Sequence, residues 1–255
     1  LTSVSSSDEA SKMFKDWLTN FIATYDFSPL SRDGDGYFKG ITKPDSNYWD
    51  VHTRGLEVAG IDTMDKETTE ILDIGTWFGI LPYALKEYGF KHVDTTECAA
   101  HSTAFRDYFE NQCWHHFGLT PTELHIKSRQ EFELPKQYDL IMLFRSNLFW
   151  KTDKLLHHTK GNTIENGTWM VTDKDSVDHF FFTVYDKQDW ELFIENIKRY
   201  LKPGGKAVIQ PSPFVYDLID GYNEEREFLA PYTHEGPVYD VDSNHRAYYI
   251  LVENN

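Results

Sequence analysis

Basic residues are scarce in this chain and cysteine is nearly absent. Its 255 residues include 25 Lys and Arg against 41 Asp and Glu, a formal net charge of −16. That balance disfavours nucleic acid as a partner, because phosphate neutralisation by Lys and Arg supplies most nucleic-acid affinity. The densest basic stretches, "KEYGFKH" and "NIKRYLKPGGK", read as solvated helix ends, where cations favour the C-terminal dipole. With only Cys98 and Cys113 present, a disulfide framework and a four-cysteine zinc site are excluded, and a reducing, cytoplasmic setting is expected. No run of roughly 18 apolar residues occurs, so no membrane-spanning helix is expected. The opening "LTSVSSSDEA" lacks the basic and apolar regions of a signal peptide.

What is present is hydrophobic and aromatic. At 40% hydrophobic and 16% aromatic residues, the chain can bury one sizeable core, and a single domain over 1–255 is expected. Residues 8–26 place Met13, Trp17, Leu18, Phe21 and Ile22 on one helical face. "SPLSRDGDGYFKG" reads as a loop and 46–57 as a short helix, so 1–60 forms an N-terminal helical segment. Strands follow at 70–74, 91–96, 123–127 and 138–144, alternating with helices such as 79–88, which closes at Gly89. "YDLIMLF" is apolar almost throughout, which marks a central strand buried on both faces. Helix 187–201, the turn "KPGGK" and the strand "AVIQ" resume this rhythm. A helix near 216–229 and two late strands, 236–241 and 246–253 joined at "DSNH", complete it. Between them, 150–186 breaks the repeat, polar early and aromatic late. An insertion of that length serves as a lid, a binding loop or a small subdomain.

The stretch "ILDIGTWFGILPYAL", 71–85, carries the chemistry. A strand, a glycine turn and a helix N-terminus present backbone N–H groups and a positive dipole end to a ligand, and glycines let it approach closely. A dinucleotide site needs G-x-G-x-x-G; here Trp77 stands where the second glycine belongs and there is no third. Nor is there a G-x-x-x-x-G-K-[ST] loop for a triphosphate. A ligand with an adenosine and no phosphate survives this test.

The region resembles the class I methyltransferase family, whose first motif reads [DE]-x-G-x-G-x-G. Asp73, Gly75 and Gly79 match it, and Trp77 departs from the middle glycine. "LPKQYDLIML" and "IKRYLKPGGKAVIQ" resemble the family's fourth strand and its fifth strand with the preceding helix, so that 70–211 is covered. The resemblance implies a three-layer Rossmann-like α/β sandwich with a seven-stranded, mainly parallel sheet and an antiparallel last strand. It also implies S-adenosylmethionine as cofactor, held by Asp73, Gly75, Thr76, Trp77, Phe78 and Gly79, with Glu97 accepting from the ribose hydroxyls. Cys98 then lies by the adenine. Gln130, between Arg129 and Glu131, is the polar candidate for the adenine amino group, and Arg145 and Ser146 stand with Asn147 where cofactor and substrate meet. Trp77 either packs its ring on neighbouring elements or touches the methionine end.

Methyl transfer needs alignment, exclusion of water and, for some nucleophiles, a base. His157, His158 and His179 in the insertion are the candidate bases; His115 and His116 read as a helix end. The oxygen-rich ligand set of a magnesium-dependent catechol-type site is not found at matching positions, so no metal is expected. "FRSNLFW" lacks the [DN]-P-P-[FYW] of amino-base DNA methyltransferases. The aromatic "HFFFTVYDKQDW" suits a small molecule or a sugar or glycan acceptor, or it packs the insertion onto the sheet. The alternatives are an RNA methyltransferase, a nicotinamide-dependent oxidoreductase, against which the glycine count stands, and a noncatalytic cofactor-binding protein, which would leave the methyl donor unconsumed.

Overall fold

A computed structural model describes residues 13–31, 36–43, 46, 48–98, 109–124, 132–146, 150–155, 164–165, 168–172, 179–184, 187–211, 227–240 and 245–255. Among these residues seven strands form the main sheet: β1 (Glu70–Ile74), β2 (His92–Cys98), β3 (Thr122–Leu124), β4 (Tyr138–Ser146), β9 (Leu201–Pro211), β10 (Thr233–Asp240) and β11 (His245–Glu253). Their order is β10-β11-β9-β4-β1-β2-β3. All neighbours pair in parallel except β11, which runs antiparallel to both β9 and β10. This is the Rossmann-like sheet with an antiparallel last strand, and β10 and β11 form the late hairpin expected near 236–253.

The central strands are apolar because both faces are covered. Along β4, Leu140, Met142 and Phe144 face one core while Ile141 and Leu143 face the other, all of them buried. The first core is roofed by α1 (Met13–Thr24), α3 (Tyr48–Ala59) and α4 (Ile80–Tyr88); the second by α5 (Lys187–Arg199), whose Trp190, Phe193, Ile194 and Ile197 lie inward at helical spacing. Burying a side chain of this size contributes about 1.5–3 kcal/mol, so two such layers on one strand fix its position.

Several expectations are corrected. In α1 the buried line is Phe14, Leu18 and Ile22, with Trp17 and Phe21 only half-buried, and Met13 is 57% exposed. The helix is rotated so that residues four apart meet the core. The last residues of the presumed loop 28–40 open a second helix, α2 (Gly36–Ile41). Tertiary contacts hold it: Phe38 and Ile41 are buried, and Trp49 Nε1–H donates to the Ile41 carbonyl at 2.7 Å. The "KPGG" turn falls inside β9, where the register with β4 jumps from Leu201 to Lys206 and Gly204 takes φ +76°. The helix expected near 216–229 falls mostly outside the described residues.

Within the insertion, β5 (Trp150–Leu155), β6 (Ile164–Glu165), β7 (Thr168–Thr172) and β8 (His179–Val184) form a separate four-stranded antiparallel sheet in the order β5-β8-β7-β6. Among the described residues no helix is long and apolar enough to cross a membrane.

Candidate functional site

The sheet's order places a crevice before any side chain is considered. From β1 the chain builds outward to β2 and β3 on one side, then crosses back to β4 on the other. Ligands of open α/β sheets bind at the carboxyl edge of such a switch point. Asp73, paired with Met142 of β4 and Thr95 of β2, stands at that edge.

The turn after β1 is built from backbone bonds. Gly75 and Thr76 N–H both donate to the Thr96 carbonyl, at 2.9 and 3.1 Å, tying the turn to β2, and Gly79 N–H donates to the Thr76 carbonyl. Gly75 and Gly79 take φ +79° and +78°, in the left-handed region that glycine enters freely. At Gly79 space is a second constraint, since a Cβ there would lie 2.6 Å from Leu119 Cδ1. Gly79 caps α4, and Gly89 closes it in a left-handed conformation, its N–H on Leu85 and Lys86 carbonyls.

Trp77 takes φ +49°, the sole non-glycine positive φ among the described residues. A left-handed residue with a side chain costs about 1–2 kcal/mol, so its neighbours must hold it there. Its N–H donates to Glu97 Oε2 at 2.7 Å, and its carbonyl accepts from Trp114 Nε1 at 2.6 Å. Its ring stacks on Phe78 at 4.8 Å and meets the edge of Phe109 at 6.5 Å. The middle position thus keeps a glycine-like backbone, and the half-buried ring packs on its neighbours.

Two carboxylates flank this turn. Glu97, on β2, is buried. Asp73 is 4% exposed and accepts from Thr76 Oγ1 at 3.1 Å. Burial pushes its carboxyl up from the ordinary 3.8 to about 7; the bond from Thr76 works against this and the Glu97 charge adds to it. Among the described residues no cation contributes. Beside Asp73 lies a cavity of about 40 Å³, walled by Tyr48, Trp49 and His52 of α3, by the turn and by Phe144 of β4. Among the described residues neither Lys nor Arg lines it.

The structure therefore gathers Asp73, Gly75, Thr76, Trp77, Phe78, Gly79 and Glu97. Cys98 ends β2, and Arg145 and Ser146 are the last residues of β4, at the same edge of the sheet. His179 opens β8 in the second sheet. Gln130, His157 and His158 lie outside the described residues. The α3 wall, His52 above all, was missed by sequence reasoning. Its only local signal is the aromatic "YWDVH", which reads equally as a packing face.

No family model matches the sequence, and no curated protein does. Solved structures do resemble it. DesVI of Streptomyces venezuelae shares 12% identity at a TM-score of 0.40, over 73% of this chain and 58% of that one. CalS10 from Micromonospora echinaspora, an amino pentose methyltransferase solved with S-adenosylmethionine bound, shares 16% at 0.39, over 71% and 56%. The N-methyltransferase NodS from Bradyrhizobium japonicum shares 12% at 0.42, over 80% and 93%. The chain spans under three fifths of the DesVI and CalS10 chains.

Proposed function

We propose that this chain is an S-adenosylmethionine-dependent methyltransferase acting on a small-molecule or sugar or glycan acceptor. One observation carries the reading: Asp73 and Glu97 are both buried at the glycine turn, and among the described residues neither Lys nor Arg lines the cavity beside Asp73. Two carboxylates repel a phosphate and favour a cation. A ligand with an adenosine, a ribose diol, a positive charge and no phosphate suits that field, whereas a nicotinamide dinucleotide brings its pyrophosphate to this turn. When bound, the cofactor supplies an activated methyl group. The protein's part is to hold the adenosine beside Glu97, present the carboxyl edge of β4 to the acceptor and exclude water.

The acceptor class rests on different features. The net charge of −16 disfavours polyanions, and the aromatic insertion 150–186 leaves β4 at the edge where the acceptor would enter. On this reading the second sheet is a lid that selects the acceptor, with His157, His158 and His179 of the insertion as candidate bases. The test is to incubate the protein with methyl-labelled cofactor and a panel of nucleotide sugars, oligosaccharides and small amines, following both label transfer and release of S-adenosylhomocysteine. Label on a sugar or small molecule supports the reading. Label on RNA alone refutes the acceptor class, and binding without turnover across the panel, with RNA included, supports a noncatalytic role.

A further inference from the structure

The glycine turn is also held by a segment that the proposed reading does not use. Between β2 and β3 the chain makes a single turn of π-helix, Phe109–Trp114. Backbone bonds in a π-helix run five residues apart, which brings side chains at that spacing to one side. Phe109 and Trp114, five apart and both buried, accordingly stack at 6.1 Å and 24°. The Leu119 N–H donates to the Trp114 carbonyl at 2.8 Å and anchors that end of the segment. Phe109 meets the rings of Phe78 at 5.3 Å and Trp77 at 6.5 Å, and Trp114 Cδ1 lies 3.4 Å from where a Cβ on Gly79 would stand. Both rings of the π-turn therefore lie against the glycine turn.

The backbone bonds of Trp77 divide between two segments. Its N–H, in the peptide before its Cα, donates to Glu97 Oε2 on β2; its carbonyl, in the peptide after it, accepts from Trp114 Nε1. With both peptide planes tied, φ and ψ of Trp77 are fixed together. At φ +49° this matters, because a residue with a Cβ is strained there, whereas glycine enters the region freely.

We propose that Trp114 is a positioning residue of the cofactor site: its indole N–H holds Trp77 in the left-handed conformation, and through the Trp77 N–H it orients Glu97 for the ribose diol. This rests on the cofactor reading above, in which Glu97 accepts from the ribose hydroxyls. Without the indole donor, Trp77 relaxes toward negative φ, its N–H turns from Glu97, and the carboxylate loses a bond that orients it. Trp114 acts through Trp77 and needs no contact with the cofactor. It supplies with a side chain what a glycine at position 77 would supply by lacking one.

Calorimetry with two ligands tests it: S-adenosylhomocysteine, and its 2′,3′-dideoxyribose analogue, which lacks the diol and keeps the rest. Trp114→Phe removes the N–H donor. Benzothienylalanine at position 114 removes it while keeping the size of the indole, so a lost bond is told from lost packing. We expect either change to weaken S-adenosylhomocysteine roughly three- to tenfold, the scale of one hydrogen bond. The analogue should weaken by less than about twofold, so that the preference for the diol shrinks. In a Trp77→Gly background, Trp114→Phe should cost S-adenosylhomocysteine no more than about twofold, because glycine holds the left-handed conformation unaided. Equal weakening of both ligands, an equal loss in the Trp77→Gly background, or wild-type affinity with the benzothienyl side chain would overturn the proposal and leave the cofactor reading in place. If wild-type protein binds both ligands equally, Glu97 is not on the ribose and the proposal fails. If it binds neither, the cofactor reading fails and the proposal fails with it.

Discussion

The backbone N–H of Trp77 donates to Glu97 Oε2 at 2.7 Å, so the left-handed residue of the turn and the carboxylate proposed for the ribose are one unit. Glu97→Ala removes the ribose acceptor together with a support of the turn. Its cofactor affinity should fall by about 1.5–3 kcal/mol, the scale of hydrogen bonds to a charged group, and its thermal midpoint should fall too. Glu97→Gln retains an oxygen for the Trp77 N–H, and should recover most of the midpoint but little of the affinity.

Trp77 distinguishes packing from ligand contact. The backbone groups that hold the turn do not depend on its side chain. Trp77→Gly removes left-handed strain and loses the stack on Phe78. Affinity for S-adenosylhomocysteine should stay within about 1 kcal/mol of wild type. A loss of two orders of magnitude by calorimetry would mean that the indole covers the ligand.

Gly79→Ala meets both a positive φ and a short contact with Leu119. Left-handed strain of about 1–2 kcal/mol adds to overpacking of about 1–3 kcal/mol. Chemical denaturation should show a loss of roughly 2–5 kcal/mol, and Gly79→Ala combined with Leu119→Ala should recover part of it. Full stability in the single variant would refute the described turn.

Asp73 predicts a pH dependence whose sign can be worked out. Its carboxyl in the folded chain titrates near 7 against 3.8 ordinarily, so the folded state binds the proton more tightly. The group therefore erodes stability as pH rises from about 4 to about 7, and the erosion is constant above that. Asp73→Asn does not titrate. The variant's advantage in unfolding free energy should grow across that window, to the order of 2–4 kcal/mol at pH 8. Parallel pH curves for variant and wild type would contradict the burial of the Asp73 carboxyl.

The strand and helix alternation, the doubly buried β4 and the glycine turn are legible in sequence because each signal is local: apolar runs, period-3.6 faces, glycines at fixed offsets. The α2 helix is not, because six residues containing two glycines have little helical propensity. It exists through Phe38, Ile41 and the Trp49 hydrogen bond, which are tertiary facts. His52 is illegible for the same reason. "YWDVH" shows an aromatic face, and only the fold brings that face against Asp73. The bonds from Gly75 and Thr76 to Thr96, and from Trp77 to Glu97, likewise join residues about 20 positions apart. In the insertion, aromatic and polar residues mix without a clear period, so its four-stranded sheet does not announce itself.

The most direct measurement is calorimetric titration of wild-type protein and Glu97→Ala with S-adenosylhomocysteine and, separately, NADH. The expected result is saturable one-to-one binding of S-adenosylhomocysteine by wild type, weakened by about ten- to a hundredfold in Glu97→Ala, and no saturable binding of NADH. Preferential binding of NADH, or S-adenosylhomocysteine affinity unchanged by the loss of Glu97, would contradict it.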